Sequence, residues 1–427
     1  MEEGCRVLHA HESGRHRLTL IIGAIACVVV AALLGGVLVT QGAGASKIKK
    51  GSSGQLTTNA RKNYTAGLPP SIAVLYKGGG DIVGPSAYRA WKPERTKWTI
   101  CFNNSYLGNT WRAAALQGFR SAVKQYQRLG LVKAEYVTNS NESAATQISQ
   151  MNDMVHVDHC SGIVTIPTGT SAMDGAIKSA YDAGVPVVGD LGPTTSPYEE
   201  NVDANFYSGA LAGADWLAKE LHGHGNIVDV EGIPGETLTN YYQEALSKML
   251  KANPGIHLLG TVEGDYTDTT AKSAMLQFLG THPQTLNGIY EEGGMGEGVY
   301  SALQQSGRKV VPMAGLIGSG NMIAIWHSLL KAHKPAPFYA PFTDPPEFVT
   351  ELAVNVLVRI LEGQHPANMT IYYPSGPTAI NTRNLNSWWN PKLVPATTLW
   401  PEPKTDPLPP AMLNKFFKNG KNPTAYK

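Results

Sequence analysis

Side chains suited to holding a hydroxylated molecule stand together in the stretch from Cys101 to Phe119, CFNNSYLGNTWRAAALQGF. Its first residues are apolar and favour a strand, whereas its later apolar residues recur at helical spacing. A polar loop rich in asparagine therefore joins a strand to a helix that begins beside a tryptophan. A side-chain amide can both donate to and accept from hydroxyl groups, and an aromatic face can cover C–H surfaces. The stretch is therefore a candidate binding loop.

The composition is that of a folded protein without an excess of charge. The chain has 427 residues, of which 42% are hydrophobic, with 35 basic and 33 acidic side chains. This length predicts two or three domains with ample core. The near balance of charge gives no support for a nucleic-acid partner.

The N-terminal region predicts a membrane segment. From Leu18 to Ser46 there is no charged residue, and Arg15 and Arg17 precede the apolar run. About 20 apolar residues span a bilayer as a helix, and basic residues before the span place that end in the cytoplasm. Residues 1–45 are thus a cytoplasmic start followed by an anchor or a signal segment, and the rest of the chain lies outside the cytoplasm. Small residues at 43–45 permit cleavage, but the length of the run favours an uncleaved anchor.

Two further regions lack the periodic apolar residues that form a core. Residues 46–96 are rich in Gly, Ser, Lys and Thr, which predicts a linker or stalk. Residues 393–427 are proline-rich, which predicts a tail that wraps the surface.

The cysteines leave one redox question open. Cys5 and Cys27 lie in or near the apolar segment, and no CxxC pair occurs. Cys101 and Cys160 are able to form one disulfide in an oxidising compartment, although two buried thiols are the preferred interpretation.

From residue 97 to about residue 375, short apolar runs alternate with helical segments. This alternation predicts parallel sheets with helices on both faces. Eight or more strands are too many for one small lobe, so the pattern favours two α/β lobes. Ligands of such sheets lie at the carboxyl ends of the strands, where the candidate loop stands.

An ordered series of segments carries a family resemblance. The segments are GIVTIPTGTSAMDGAIKSAYDAGVPVV, NVDANFYSGALAGADWLAKEL, NIVDVEGIPGETLTNYYQEAL, VPMAGLIG and ELAVNVLVRILEGQ. Over residues 97–375 the chain resembles the ribose-type, class I periplasmic sugar-binding proteins of ABC transporters. The resemblance implies a periplasmic binding protein-like class I fold, in which three hinge strands join two doubly wound parallel-sheet lobes. The lobes would be 97–203 plus 344–372 and 204–343 plus 373–392, with crossings near Asp203, Thr343 and Tyr373.

The same resemblance implies a set of ligand-binding positions. Asn109 would bond hydroxyl groups, while Trp111 and Tyr266 would stack on a sugar ring. The alternative is that Asn109 only caps the helix and that Trp111 only packs in the core. Glu236 and Thr237 would line the mouth of the cleft. The full set of predicted contact residues is Asn109, Trp111, Arg112, Asp190, Asn240, Tyr241, Tyr266, Glu292, Gly293, Ile317 and Thr343.

Several of these positions depart from the family pattern. Asn240 replaces a binding arginine, Gly293 an asparagine, Ile317 an aspartate and Thr343 a glutamine. A site built to bond a hydroxyl rejects molecules that lack it, so changed contacts imply a changed ligand. We therefore expect a small polyol, sugar or sugar-derived ligand other than ribose.

The resemblance predicts an extracytoplasmic solute-binding protein that captures its ligand by hinge closure. Its partners would be a small sugar or polyol and an ABC transporter permease, with no cofactor, no metal and no nucleic acid, and it would be a monomer. The alternative is a sensory protein that signals to a membrane receptor or kinase. A LacI-type regulator is disfavoured because a membrane segment stands where its DNA-binding helices would be. An enzyme is disfavoured too, since EEGGMGEG fits no nucleotide motif and His156 and His159 lie away from the cleft.

Overall fold

The computed structural model describes residues 65, 67–76, 84–92, 97–315, 317–341, 343–374, 379–401 and 405–422. The anchor or signal segment predicted at residues 1–45 lies outside these ranges. Within them, no helix combines the length and the apolar character needed to span a bilayer.

Two sheets organise the described chain, and every strand pair in them is parallel. The strands are β1 (Trp98–Asn104), β2 (Val132–Asn139), β3 (Gly162–Ile166), β4 (Val187–Asp190), β5 (Glu199–Asp203), β6 (His224–Glu231), β7 (Gly255–Glu263), β8 (Gly288–Glu291), β9 (Met313–Gly315), β10 (Phe338–Tyr339) and β11 (Thr370–Tyr372). The first sheet has the order β11-β5-β4-β3-β1-β2 and defines the N-terminal lobe; the second has the order β10-β9-β8-β6-β7 and defines the C-terminal lobe. The predicted α/β fold with two parallel sheets is confirmed.

Helices connect the strands of each sheet. The longer ones are α1 (Thr110–Arg128), α2 (Ala144–His156), α3 (Asp174–Asp182), α4 (Phe206–Glu220), α5 (Thr237–Ala252), α6 (Asp268–Thr281), α7 (Gly296–Gln305), α8 (Gly320–Lys331) and α9 (Pro346–Leu361). Several begin at a residue whose side chain satisfies a free backbone N–H. Asn109 does so for α1 and Ser143 for α2, accepting from Arg112 N at 2.8 Å and from Thr146 N at 3.2 Å.

Close packing of α1 on α9 fixes the start of α1 at the carboxyl edge of the first sheet. Every residue of β1 is buried, so the strand leads from the core straight into the loop before α1. Gly118 permits the helix contact, because a Cβ there would lie 2.4 Å from the Glu347 carbonyl oxygen. Asn109, Trp111 and Arg112 therefore stand on a rigid support.

The chain passes from the first sheet to the second after β5 and back after β10, and after β11 it reaches the C-terminal lobe again at Ile380. The backbone N–H of Tyr373 donates to the Asp203 carbonyl oxygen at 3.1 Å, and Ala340 forms an antiparallel bridge with Ile380. These contacts hold the connecting segments side by side and leave a cleft between the lobes. The exact lobe boundaries given above stay a prediction.

Cys101 and Cys160 are joined by a disulfide, so the preference for two buried thiols is wrong for this structure. Cys101 lies in β1 and Cys160 shortly before β3, and these two strands are neighbours in the sheet. Their Cα atoms come to 6.0 Å, within the span of roughly 4.4–6.8 Å that a disulfide bridges. The composition could not reveal this disulfide, because it does not show that β1 and β3 pair side by side.

Parts of the region assigned to a linker, residues 70–76 and 84–92, pack against the N-terminal lobe. Ile72, Tyr76 and Tyr88 are buried. The Tyr88 hydroxyl donates to the Tyr198 carbonyl oxygen at 2.6 Å and accepts from the Val187 N–H at 2.9 Å. These described residues belong to the lobe, in contrast to the linker prediction, because single aromatic anchors rather than a periodic pattern hold them.

Residues 379–422, here called the C-terminal segment, contact both lobes in their described parts. Leu385 and Leu393 lie in the apolar core of the C-terminal lobe. Further along, Leu408 lines a groove with α9 residues, and Arg359 of α9 donates to Asn414 Oδ1 at 2.6 Å. The Ala367 N–H donates to the carbonyl oxygen of Phe416, which is buried. The segment is thus part of both cores, whereas the sequence indicated a surface tail.

Candidate functional site

A cavity of about 40 Å³ lies between the lobes, at the carboxyl ends of the strands. Residues at the start of α1 face residues at the start of α5 across it. It is lined by Asn109, Trp111, Arg112, Leu191, Glu236, Leu238, Tyr266, Gly293, Gly294, Ile317, Asp344 and Trp400. Six of the predicted contact residues are therefore brought together, namely Asn109, Trp111, Arg112, Tyr266, Gly293 and Ile317.

Asn109 caps α1 and also lines the cavity. Its Oδ1 accepts from the Arg112 N–H, and its Nδ2 donates to the Tyr266 carbonyl oxygen at 3.3 Å. Tyr266 belongs to the C-terminal lobe, so this amide contacts both lobes. Asn109 therefore both caps the helix and stands at the cleft, so the two interpretations are compatible. A ligand-binding role for Asn109 stays a prediction.

Trp111 is buried and tied to the other wall of the cavity. It is 5% exposed, and its Nε1 donates to the Asp344 carbonyl oxygen at 3.1 Å. The Arg112 guanidinium lies 5.8 Å from the centre of its ring. One indole therefore packs in the core and presents a surface to the cavity.

Arg112 forms an ion pair across the cleft. Its Nη2 lies 3.6 Å from Glu236 Oε1, and its Nη1 donates to Asn104 Oδ1 at 3.2 Å. Both charged side chains are nearly fully buried, at 5% and 11% exposure. Burial raises the pKa of Glu236, and the nearby guanidinium counteracts part of that rise.

Two more buried carboxyl groups stand close to this pair. Asp190 Oδ2 accepts from the Thr350 hydroxyl at 2.6 Å, and burial raises the pKa of Asp190 to about 7. Asp344 Oδ1 accepts from the Tyr373 hydroxyl, and burial raises its pKa to about 6. Asp190 Oδ1, Asp344 Oδ2 and Glu236 Oε1 have no hydrogen-bond partner. Of these three residues, Glu236 and Asp344 line the cavity, where a carboxylate oxygen is suited to accept from the hydroxyl groups of a ligand.

Tyr266 is held rigidly on the side of the C-terminal lobe. Its hydroxyl lies 2.8 Å from the Thr239 hydroxyl, and its ring lies so close to Gly232 that a Cβ there would be 1.9 Å from Cζ. Its backbone φ is +52°, a left-handed conformation that non-glycine residues rarely adopt. The ring therefore lines the cavity in one fixed orientation.

The other predicted contact residues lie outside the cavity lining. Asn240 is exposed at the rim, where its Nδ2 donates to the Thr170 hydroxyl at 3.4 Å. Tyr241 packs against Tyr207, with ring centres 6.1 Å apart. Thr343 and Asp190 are both buried, and neither lines the cavity. Their role in binding stays a prediction.

Glu292 is occupied inside the C-terminal lobe. Its Oε2 accepts from the Gly232 N–H at 3.0 Å, and its Oε1 accepts from Gln243 Nε2 at 2.7 Å. The same Nε2 lies 2.7 Å from Asp229 Oδ2, and burial raises the pKa of both carboxyl groups. This cluster supports the strand ends, and Gly293 carries the chain from it to the cavity.

The sequence did not reveal Leu191, Leu238, Gly294, Asp344 or Trp400 as cavity residues. Trp400 is the most distant of them, since its Nε1 donates to Thr110 Oγ1 at 3.2 Å across 290 positions of sequence. Its only local signal was an aromatic residue within a proline-rich stretch. Across the described ranges, no group of three or more His, Cys, Asp or Glu side chains is placed to hold a metal ion.

Comparison with known proteins matches the described architecture. A model of the periplasmic binding protein domain matches residues 100–365, more than half of the chain. The ribose import binding protein of Bacillus subtilis is 23% identical over 271 residues, which span 63% of this chain and 84% of that protein. The xylitol-binding protein of Mycolicibacterium smegmatis is 24% identical over 187 residues, 43% of this chain and 53% of that protein.

Solved structures share the fold. An ABC transporter solute binding protein from Thermobispora bispora superposes with a TM-score of 0.64 at 23% identity, covering 73% of this chain and 92% of that one. One from Bacillus halodurans with bound myo-inositol gives 0.59 at 14% identity, covering 70% and 99%.

Proposed function

The chain belongs to the periplasmic binding protein family, and from that premise we propose that it is the solute-binding component of an ABC importer for a small, uncharged sugar or polyol. Proteins of this family bind solutes outside the cytoplasm, and the chain is a binding protein rather than an enzyme. The resemblance to the ribose-type sugar-binding proteins is confirmed. The relatives reported above are named for import or solute binding, which favours an importer over a sensory role.

The observation that carries the proposal is the cavity lined by both lobes. It combines the amide of Asn109 and the carboxyl groups of Glu236 and Asp344 with the rings of Trp111 and Tyr266. Amides and carboxylates suit hydroxyl groups, while aromatic rings suit C–H faces. Relatives are named for ribose, xylitol and galactofuranose, and similar structures hold glycerol, D-allose and D-arabinose.

The charges around the cavity support an uncharged ligand. Arg112 faces three carboxyl groups, those of Asp190, Glu236 and Asp344. An anionic ligand brought into this cluster would be repelled by the carboxyl groups and would lose its hydration. Sugar phosphates and uronic acids are therefore disfavoured relative to neutral sugars and polyols.

Capture follows from contacts that the ligand makes with both lobes at once. A ligand that binds the closed form more tightly than the open form shifts the population toward closure. The closed lobes then form the surface that a permease contacts. The proposal includes a monomer held at the membrane by the apolar segment at residues 18–39.

Thermal unfolding of the full chain tests the proposal. The panel is ribose, xylitol, myo-inositol, D-allose, D-arabinose and glycerol, with ribose 5-phosphate and glucuronate as anionic controls. A ligand at 100 times its dissociation constant should add about 2.7 kcal/mol, a rise of a few degrees. The absence of a rise with every neutral compound would contradict the proposal.

A matched pair of variants locates the effect. Asn109→Ala removes a helix cap that lines the cavity, and Ser143→Ala removes a helix cap that lies away from it. Each should cost roughly 0.5–2 kcal/mol of stability. Only Asn109→Ala should also reduce the ligand-induced rise in melting temperature. An equal rise in both variants would show that the ligand binds somewhere other than this cavity.

A further inference from the structure

Trp400 is the point at which the C-terminal segment enters the cleft. The residue is 9% exposed, and its Nε1 donates to Thr110 Oγ1 on α1 of the N-terminal lobe. The far edge of its indole lies against Gly294 of the C-terminal lobe, 3.5 Å from where a Cβ would stand. One side chain therefore contacts both lobes at the cavity.

The backbone before Trp400 is seated firmly on the C-terminal lobe. The Leu399 carbonyl oxygen packs directly on Gly320, where a Cβ would come within 2.0 Å of it. Leu393 lies in the core of the same lobe. The backbone that carries the indole is thus held by a buried anchor rather than by a surface loop.

Trp400 also lines two spaces of very different size. One is the cavity of about 40 Å³, and the other is an open groove of about 1030 Å³. Four residues line both spaces: Asn109, Tyr266, Gly294 and Trp400. Among these four, Trp400 alone comes from outside the segments that resemble sugar-binding proteins.

The inner cavity is too small for a sugar as it stands. A water takes roughly 10–15 Å³ of such volume, so about 40 Å³ holds a few waters. A ring or polyol therefore needs part of the lining to move outward. The groove offers room on the side of Trp400, whose side chain can shift outward once its hydrogen bond to Thr110 is given up.

We propose that Trp400 is a ligand-contacting residue that sets the size of the ligand: its indole forms the outer wall of the interlobe site and packs against the bound molecule. This rests on the proposed binding of a sugar or polyol. The wall limits the site to a single ring or a short polyol, because a longer molecule would have to pass through the position of the indole. Removal of the indole joins the cavity to the groove and admits a substituent on the sugar.

The first test needs no ligand. In the full chain with Cys5 and Cys27 replaced by Ser, Leu238→Cys places a single free thiol on the cavity wall, since Cys101 and Cys160 are paired. Its reaction with a small methanethiosulfonate reagent is timed with and without Trp400→Ala. Loss of the wall should speed the reaction about tenfold, which converts to about 1.4 kcal/mol.

A tryptophan of the same segment serves as the control. Trp389 stacks on His327 with ring centres 3.8 Å apart and does not line the cavity. Trp389→Ala should leave the thiol reaction unchanged. Equal thiol reaction rates in the Trp400→Ala and Trp389→Ala proteins would show that Trp400 does not close the cavity. If Leu238→Cys fails to fold, Ile317→Cys provides the thiol for the same measurement.

The second test uses the sugars themselves. Xylitol and ribose are compared with maltose and methyl glycosides in thermal unfolding of the wild type, Trp400→Ala and Trp400→Phe. Trp400→Ala should bind the small compounds about tenfold more weakly and gain a response to the larger ones, while Trp400→Phe keeps the wild-type size limit. If the wild type shows no thermal shift with any sugar, the proposed function is wrong, and the thiol test still decides whether Trp400 forms the outer wall of the site. If wild type and Trp400→Ala show identical shifts, only the size limit is wrong.

Discussion

Replacement of Arg112 by glutamine should destabilise the protein far more at pH 8 than at pH 5. The Arg112 side chain is 5% exposed and pairs with Glu236 across the cleft. It also lowers the pKa values of Asp190 and Asp344, which burial nonetheless raises to about 7 and about 6. At pH 8 these carboxyl groups are ionised, and removal of their buried counter-charge costs about 3–5 kcal/mol. At pH 5 both aspartates are largely protonated, so the cost falls to that of one buried hydrogen bond, about 1–3 kcal/mol.

Urea unfolding of ligand-free protein at the two pH values measures this difference. Arg120→Gln is the matched control, because Arg120 lies on the same helix and also pairs at 3.6 Å, with Glu135, but its side chain is 59% exposed. That exposed pair should contribute about 0–1 kcal/mol at either pH. Equal costs of Arg112→Gln at pH 5 and pH 8, or a cost no larger than that of Arg120→Gln, would refute the ionic coupling of Arg112 to Asp190 and Asp344.

Three further outcomes follow from buried groups and close contacts. The melting temperature of the wild type should fall as pH rises from 5 to 8. Burial raises the folded-state pKa of Asp190 to about 7 and of Glu291 to about 8, above their unfolded values, so the folded protein loses stability as these groups ionise. A rising melting temperature would contradict this prediction. Cys101→Ser should lower the free energy of unfolding by about 2–5 kcal/mol in urea, and a reductant should weaken only the wild type. Gly118→Ala should cost about 1–3 kcal/mol by collision with the backbone of α9, whereas Gly175→Ala, with open space around it, should gain up to about 1 kcal/mol in thermal unfolding.

The order of strands and helices was predictable because it depends on local pattern. Apolar runs such as WTICF form strands that are buried along their whole length, and amphipathic runs form the helices between them. The rule that ligands bind at the carboxyl ends of parallel strands then located the loop after β1 near the cleft, and the resemblance to sugar-binding proteins implied Asn109, Trp111 and Arg112 within it. These residues needed no knowledge of distant contacts.

The missing residues depend on contacts between distant parts of the chain. Trp111 meets Asp344 across 233 positions, and Trp400 meets Thr110 across 290. Tyr88 was invisible for the same reason, since one aromatic residue in a glycine-rich region has no periodic partner. The disulfide depended on the pairing of β1 with β3, which places Cys101 beside Cys160.

The C-terminal segment also bears on when the protein can finish folding. Leu393 fills the core of one lobe, and Phe416 is buried against the other. A ribosome releases residues in order, and domains made early usually fold first. Here both lobes keep an uncovered apolar surface until residues 393–416 have been synthesised, so a chain stopped at residue 392 should be cleaved readily by protease where the full chain resists. Completion of both cores therefore waits for Leu393 and Phe416, however early the strands and helices of each lobe are made.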